Sequence, residues 1–118
     1  MNEVKISGAF ERGIEIRPIQ RGDKELQLAA GSLSFVVPRG DKEVTMWIDV
    51  ECVGDKAFEM ADIPENIGVT VTGELRRAAW KDKQTDEWQS RHFIYYRSHT
   101  VDAEGYAEQP APEDDIPF

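Results

Sequence analysis

The fold is decided by residues 44–80, which read VTMWIDVECVGDKAFEMADIPENIGVTVTGELRRAAW. Between residues 44 and 52 every second side chain is apolar, which is typical of a strand with one buried face. Residues 55–63 carry the one helical pattern of the chain, and Pro64 ends it. The two-residue period then resumes over residues 69–80. This stretch therefore predicts a strand, a short helix and a second strand.

Further strands are predicted on both sides of this stretch. Alternating or apolar segments precede it at residues 4–9, 14–19 and 26–37, and the last of these shifts its period at Gly31, which predicts a bulge there. A polar hairpin loop at 81–87 leads to a final strand over 88–98. We predict an all-β domain, a five-stranded Greek-key OB barrel with one short helix between its third and fourth strands. That fold frequently binds oligonucleotides. Phe35 and Phe58 are expected in its core.

Composition predicts one domain of modest size. The chain has 118 residues, 40% of them apolar and 31% charged, which sustains a single core and argues against wholesale disorder. No apolar run is long enough to span a membrane, and the start lacks the basic residues of a secretory signal, so we expect a cytoplasmic protein without a membrane partner. Cys52, His92 and His99 form no metal-ligand spacing, and no nucleophile motif is present. No metal, cofactor or enzymatic activity is expected.

Charge is distributed unevenly along the sequence. The net charge of −9, from 14 basic and 23 acidic residues, taken alone argues against a protein that coats nucleic acid. Between Arg76 and His99, however, the sequence contains six basic residues and only three acidic ones. A local basic zone therefore persists within an acidic chain.

The C-terminal residues have the character of a docking peptide. Residues 107–118 contain three prolines, four acids and no strand pattern, which predicts an extended, mobile tail. An apolar ring beside a terminal carboxylate suits a small hydrophobic pocket with a basic rim, to which neighbouring acids add attraction. We predict residues 1–104 as the OB domain, 105–112 as a short flexible linker and 113–118 as an acidic tip. The predicted partner-docking residues are Asp114, Asp115, Ile116, Pro117 and Phe118.

Several segments resemble bacterial single-stranded DNA-binding proteins. The terminal EDDIPF at 113–118 resembles the acidic tip of that family, and residues 2–8 resemble its opening strand. The Glu-Ile-Arg of residues 15–17 falls at the family's Glu-Val-Arg position. Residues 47–54 resemble its third strand, and the GELR and WKD segments within 73–82 resemble its Gly-Gln-Leu-Arg and Trp-Asp segments.

The sequence also departs from the family pattern. Val53 and residues 36–38 stand where the family has base-stacking aromatics, so two stacking platforms are missing. The long Gly- and Gln-rich linker is absent as well. The chain is therefore similar to a short member of the kind that phages or other mobile elements encode.

The resemblance implies a non-sequence-specific single-stranded DNA (ssDNA)-binding protein. Such a protein coats ssDNA during replication, recombination and repair and recruits partner enzymes through its tip. The resemblance further implies a homo-oligomer, a tetramer or a dimer, located in the cytoplasm near the nucleoid or in the host cytoplasm if a phage encodes it. A strand of DNA needs cations for phosphates and aromatic faces for bases. The candidate ssDNA-binding residues are Trp47, Arg76, Arg77, Trp80, Lys81, Lys83, Arg91, Tyr95, Arg97 and Arg17.

Two other functions are consistent with the sequence. The first is an OB-fold adaptor with weak DNA affinity, whose tip occupies or redirects the enzymes that bind such tips. The acidic composition and the missing aromatics favour it. The second is a protein–protein scaffold in which the Trp and Tyr faces form a subunit interface.

Overall fold

The computed structural model describes residues 1–102, so the predicted linker and tip lie outside the described residues. This part of the chain is mostly β-structure with one short helix, as predicted. None of its helices is long and apolar enough to cross a membrane. The elements in chain order are β1 (Val4–Gly8), β2 (Ile14–Arg21), β3 (Lys24–Arg39), β4 (Lys42–Val53), α1 (Lys56–Ala61), β5 (Val69–Lys81) and β6 (Trp88–Val101).

The six strands form one sheet in the order β1-β5-β6-β4-β3-β2. Neighbouring strands are antiparallel except β4 and β6, which run parallel. Ala9, directly after β1, forms a bridge with Ser34 in β3 through backbone hydrogen bonds of 3.0 and 2.8 Å. In the described part of the chain, this single bridge brings the two ends of the sheet together. The structure therefore has an open, OB-like sheet joined at one point, where the sequence predicts a barrel.

The predicted number of five strands is wrong, because the segments at residues 4–9 and 14–19 form two separate strands, β1 and β2, at opposite ends of the sheet order. A Cβ atom on Gly8 would lie 1.9 Å from the Ser34 carbonyl oxygen, so the chain crosses β3 here in close backbone contact. Phe10 then enters the core, and Gly13 turns the chain with a φ of +80° before β2 begins. The helix therefore lies between the fourth and fifth strands.

The predicted bulge at Gly31 is also wrong. Gly31 pairs in continuous register with Ile14 of β2 and Val50 of β4. The apolar period shifts there because Leu28 lies on the face opposite the buried Ala29. The register irregularity occurs instead between β5 and β6, where Thr72 pairs with Ser98 and Gly73 with Tyr96, so that Arg97 is the extra residue.

The core lies between the inner face of the sheet and α1. Ala57 and Met60, three positions apart, form the buried side of this helix. Phe58 lies on its other side with 56% of its surface exposed, which corrects its predicted core position, and Phe35 is half-buried. The buried cluster comprises Phe10, Ala29, Leu33, Val50, Cys52, Ala57, Met60, Ile63, Val69, Val71, Ile94 and Tyr96.

Candidate nucleic-acid interface

The strand register collects most of the predicted DNA-binding residues on one face. Val50 and Ile94 pair across β4 and β6 and are both buried, so Asp49 and Phe93, one residue earlier in each strand, point away from the core. We call this side of the sheet the outer face. The same alternation places Arg17, Trp47, Arg76, Trp80, Arg91, Tyr95 and Arg97 on the outer face.

Three predicted residues lie elsewhere. Arg77 and Lys81 pair with His92 and Trp88, on the side of the β5–β6 hairpin opposite the outer face. Lys83 lies in the loop between these two strands. Lys81 forms an ion pair with Asp86, with 3.4 Å between Nζ and Oδ1. These cations can supplement a groove on the outer face but do not belong to it.

Arg91 is held at the middle of the outer face by two carboxylates. Its guanidinium donates to Asp49 at 3.3 Å and to Glu51, which lies one pleat further along β4. The same guanidinium lies over the Phe93 ring, 4.7 Å from its centroid. Arg91 therefore covers one aromatic face, and two acids already satisfy its charge.

Arg76 and Arg97 share a second carboxylate. Arg76 approaches Glu74 to 3.0 Å, and Arg97 donates to the same carboxyl group at 3.2 Å. The hydrogen bond from Arg76, and to a lesser degree that from Arg97, holds the pKa of the Glu74 carboxyl below its usual range. Arg76 also lies over the Tyr95 ring, 3.9 Å from its centroid. We refer to Asp49, Glu51, Glu74, Arg76, Arg91 and Arg97 together as the paired centre.

Tyr95 is fixed in place by the backbone of β4. Its hydroxyl lies 3.3 Å from both the backbone nitrogen and the carbonyl oxygen of Val53 and donates to the latter. Arg76 covers the ring, so the surface exposed at this position is the guanidinium plane and not the phenol face. Tyr95 thus supports the guanidinium of Arg76 on the outer face.

Two exposed tryptophans flank the paired centre. Trp47 on β4 exposes 60% of its surface and Trp80 on β5 exposes 45%, both on the outer face. They are two strands apart, so their backbones are separated by about 10 Å or more across the sheet. Trp88 is also exposed, but on the opposite face. The outer face therefore presents two indole surfaces that can stack with bases.

Arg17 completes the outer face on β2. It pairs with Leu28 of β3, which in turn pairs with Val53 of β4. Within residues 1–102, Arg17, Arg77 and Lys83 form no ion pair. Of the predicted cations, these three present an unengaged charge to a ligand.

A cleft opens beside Trp47 that sequence reasoning did not find. It has a volume of about 360 Å³ and is lined by Glu11, Arg12, Ser32 and Trp47. The loop between β1 and β2 supplies the first two residues, and it reaches β3 because of the Ala9–Ser34 bridge. No local pattern in the sequence signals that contact. We call this feature the Trp47 cleft.

The remaining reactive groups lie in the core and do not form a site. Burial raises the pKa of the Cys52 thiol to about 11. Burial and a hydrogen bond of 2.9 Å to Glu59 raise the pKa of the Tyr96 hydroxyl. Among the residues described, no group of three or more potential metal ligands is present.

Comparison with known proteins supports the fold. No family model and no curated protein matches the sequence. Among solved structures, the chain is similar to a deletion mutant of the single-stranded DNA-binding protein from Thermus aquaticus, with a TM-score of 0.66 and 17% sequence identity. The match covers 86% of this chain and 50% of that chain, so this chain spans about half the length of the Thermus protein. At this identity the likeness establishes a shared OB fold.

Proposed function

We propose that the protein binds single-stranded DNA on the outer face, with contacts that are largely independent of sequence. The observation that carries the proposal is the placement of two exposed tryptophans, Trp47 and Trp80, on the same face as a row of arginines. Indole faces accept any base, and guanidinium groups contact phosphates. The structurally similar Thermus protein is by its name a single-stranded DNA-binding protein, which supports the proposal.

In this mechanism, DNA phosphates replace carboxylates as partners of the arginines. The ion pairs of the paired centre are partly exposed; the side chains of Arg91 and Asp49, for example, expose 37% and 53% of their surface. Ion pairs exposed to this degree contribute about 0–1 kcal/mol, so exchanging a carboxylate for a phosphate costs little. Each base that stacks on an aromatic ring adds roughly 1–3 kcal/mol. Stacking therefore provides most of the binding energy, and phosphate contacts orient the strand.

The cellular role in this proposal follows from the sequence. The protein coats ssDNA in the cytoplasm during replication, recombination and repair, as a homo-oligomer. The tip at 113–118 recruits partner enzymes through Phe118 and the acids that precede it. Deletion of residues 114–118 should leave or strengthen ssDNA affinity and abolish enzyme docking, because an acidic segment competes with DNA for cations.

The paired centre favours one alternative function. Its three arginines, all predicted phosphate ligands, already bind carboxylates, Lys81 outside it pairs with Asp86, and the net charge is −9. An OB-fold adaptor that binds DNA weakly, and whose tip occupies enzymes that recognise such tips, would have this charge arrangement. Its affinity for ssDNA would be low even in the absence of salt.

Fluorescence anisotropy of a labelled dT oligomer distinguishes the two functions. We expect the full chain to bind at low salt, with an affinity that decreases steadily as salt is added, because counterions are released from the strand. A labelled duplex of the same length should bind much more weakly, since its bases are not available for stacking. The absence of any anisotropy change at low salt would contradict ssDNA binding and favour the adaptor.

A further inference from the structure

The Trp47 cleft differs from the rest of the outer face in shape and in chemistry. Its volume of about 360 Å³ lies near the lower end of the range of about 300–1,000 Å³ for small-ligand sites. Trp47 provides an aromatic wall, and Glu11, Arg12 and Ser32 provide polar groups. A concave site of this size suits one nucleotide, whereas the remainder of the face is open.

Glu11 is fixed in the cleft by a buried hydroxyl group. The Oγ of Ser34, only 4% exposed, lies 2.9 Å from Oε2 of Glu11 and 3.1 Å from the carbonyl oxygen of Ala9, so its one hydrogen is shared between these two acceptors. Ser34 and Trp47 are direct partners in the β3–β4 register, so their Cβ atoms lie about 5 Å apart. The carboxylate is therefore held beside the strand pair that carries the indole ring. One of its two oxygens, Oε1, has no hydrogen-bond partner among residues 1–102.

The charges of the cleft are available to a ligand. In the part of the chain that the structure describes, neither Glu11 nor Arg12 takes part in an ion pair. A carboxylate only accepts hydrogen bonds, and a guanidinium only donates them. A base that presents donors to Glu11 and acceptors to Arg12 satisfies both groups.

Among the four DNA bases, guanine matches this pattern best. Its N1–H and N2–H donors lie side by side, so a carboxylate can accept from both. Its O6 and N7 acceptors are the usual partners of arginine. Thymine offers a single donor, N3–H, and cytosine and adenine each offer one amino group. The cleft can therefore distinguish guanine from the other bases while any base can stack on the indole.

We propose that the Trp47 cleft is a nucleotide subsite that prefers guanine. The base stacks on Trp47, Glu11 accepts hydrogen bonds from N1–H and N2–H, and Arg12 donates to O6 and N7. This inference rests on the proposed ssDNA binding and adds a base preference at one position of an otherwise sequence-tolerant face. Glu11 is the residue that determines the preference.

The test measures by fluorescence anisotropy how tightly the full chain binds each of three labelled oligomers at one salt concentration. The first is all dT, the second carries one central dG, and the third carries deoxyinosine at that position, which lacks the 2-amino group. We expect the dG oligomer to bind about tenfold more tightly than the dT oligomer, the effect of one bidentate base contact. The deoxyinosine oligomer should fall between them.

Variants then assign the preference to the carboxylate. In Glu11→Gln the ratio of dG to dT affinity should decrease to about one, whereas Glu15→Gln, an exposed acid on β2, should retain the full ratio. Equal affinity of the wild type for all three oligomers would overturn the guanine subsite and leave ssDNA binding intact. A dG preference that persists in Glu11→Gln would overturn the role of Glu11. If none of the oligomers binds, ssDNA binding itself is refuted and the subsite with it.

Discussion

The paired centre and the Trp47 cleft lie on the same face of the sheet but differ in whether their charged side chains form ion pairs. In the paired centre, adjacent strands place Arg91 beside Asp49 and Glu51, so charges of opposite sign neutralise each other. In the cleft, Glu11 and Arg12 come from a loop, and neither forms an ion pair within residues 1–102. Pairing between adjacent strands thus neutralises the arginines of the paired centre, whereas the loop that follows β1 leaves Glu11 and Arg12 without an ion-pair partner in the described range.

The largest effects are expected from the two tryptophans that flank the paired centre. Trp47→Ala and Trp80→Ala should each weaken binding of a dT oligomer by about one stacked base, roughly 1–3 kcal/mol. Because Trp47 also forms a wall of the cleft, its replacement should in addition remove any difference between oligomers with and without dG. Fluorescence anisotropy at fixed salt measures both quantities.

Trp88→Ala is the matched control for these variants. Trp88 is the most exposed of the three tryptophans, at 69%, but lies on the face opposite Trp47 and Trp80. Its loss should change dT affinity little. If Trp88→Ala weakens binding more than the other two variants, the DNA lies on the other side of the β5–β6 hairpin.

A second prediction concerns the crossing that forms the cleft. Gly8→Ala places a Cβ atom where the Ser34 carbonyl oxygen lies, so the backbones must move apart. We expect a loss of stability of about 1–3 kcal/mol, the usual cost of an overpacked site. Thermal unfolding followed by circular dichroism measures it, with Gly22→Ala as a control. Gly22 has a φ of +64° but open space around it, so that variant carries backbone strain without the clash.

A Gly8→Ala variant as stable as Gly22→Ala would contradict the close contact of Gly8 in β1 with the Ser34 carbonyl oxygen in β3. If the Gly8→Ala variant folds, its ratio of dG to dT affinity should decrease by a larger factor than its affinity for the dT oligomer. The paired centre lies on β4, β5 and β6 and does not depend on that crossing.

A smaller effect is expected from releasing the cations of the paired centre. The double variant Asp49→Asn and Glu51→Gln removes both partners of Arg91. We expect dT affinity at low salt to increase about threefold to tenfold. The dependence of log affinity on log salt should steepen by about 0.7, the value for one additional phosphate contact on a single strand. Anisotropy titrations at several salt concentrations provide both numbers.

The control for this variant must change the net charge equally. Asp23→Asn with Glu25→Gln removes two exposed acids at the β2–β3 hairpin, which form no ion pair in the described range. It should raise the affinity less and leave the salt slope unchanged. Equal behaviour of the two double variants would show that the arginine at the paired centre does not contact phosphate.

A separate prediction, on stability instead of binding, concerns the inward side of β4. Glu51 faces outward, but the adjacent Cys52 is buried, and burial raises the pKa of its thiol from 9.0 to about 11. The folded state therefore keeps a proton that the unfolded state releases, so this contribution to stability is complete below pH 9 and is lost as the pH rises toward 11. The urea concentration at the midpoint of unfolding should therefore be lower at pH 10.5 than at pH 8. An unchanged midpoint would contradict the burial.

The features that depend on alternation within one strand could be predicted from the sequence. The buried face of β4, the outward position of Trp47 and the end of the helix before Pro64 all follow from local patterns. For the same reason the OB fold could be predicted from the order of strands and helix. Phe58 was misplaced because a helix of six residues has too little periodicity to show which side is buried.

Features that depend on contacts between distant strands could not be predicted. The contact between β1 and β3 is made where Gly8 meets Ser34, which lies 26 residues further along the chain. The ion pairs of the paired centre join β4 to β6 across a parallel pairing that no turn specifies. The basic zone seen in the sequence is therefore less available to phosphate than a count of its residues suggests.

The indole N–H signals of the three tryptophans test the central claim most directly. In a ¹⁵N-labelled sample, replacing each tryptophan by phenylalanine in turn assigns the signals, and a dT oligomer is then added at low salt. If DNA binds on the outer face, the signals of Trp47 and Trp80 shift, while that of Trp88 stays in place. Three unmoved signals, or a shift confined to Trp88, would contradict an ssDNA-binding surface on the outer face.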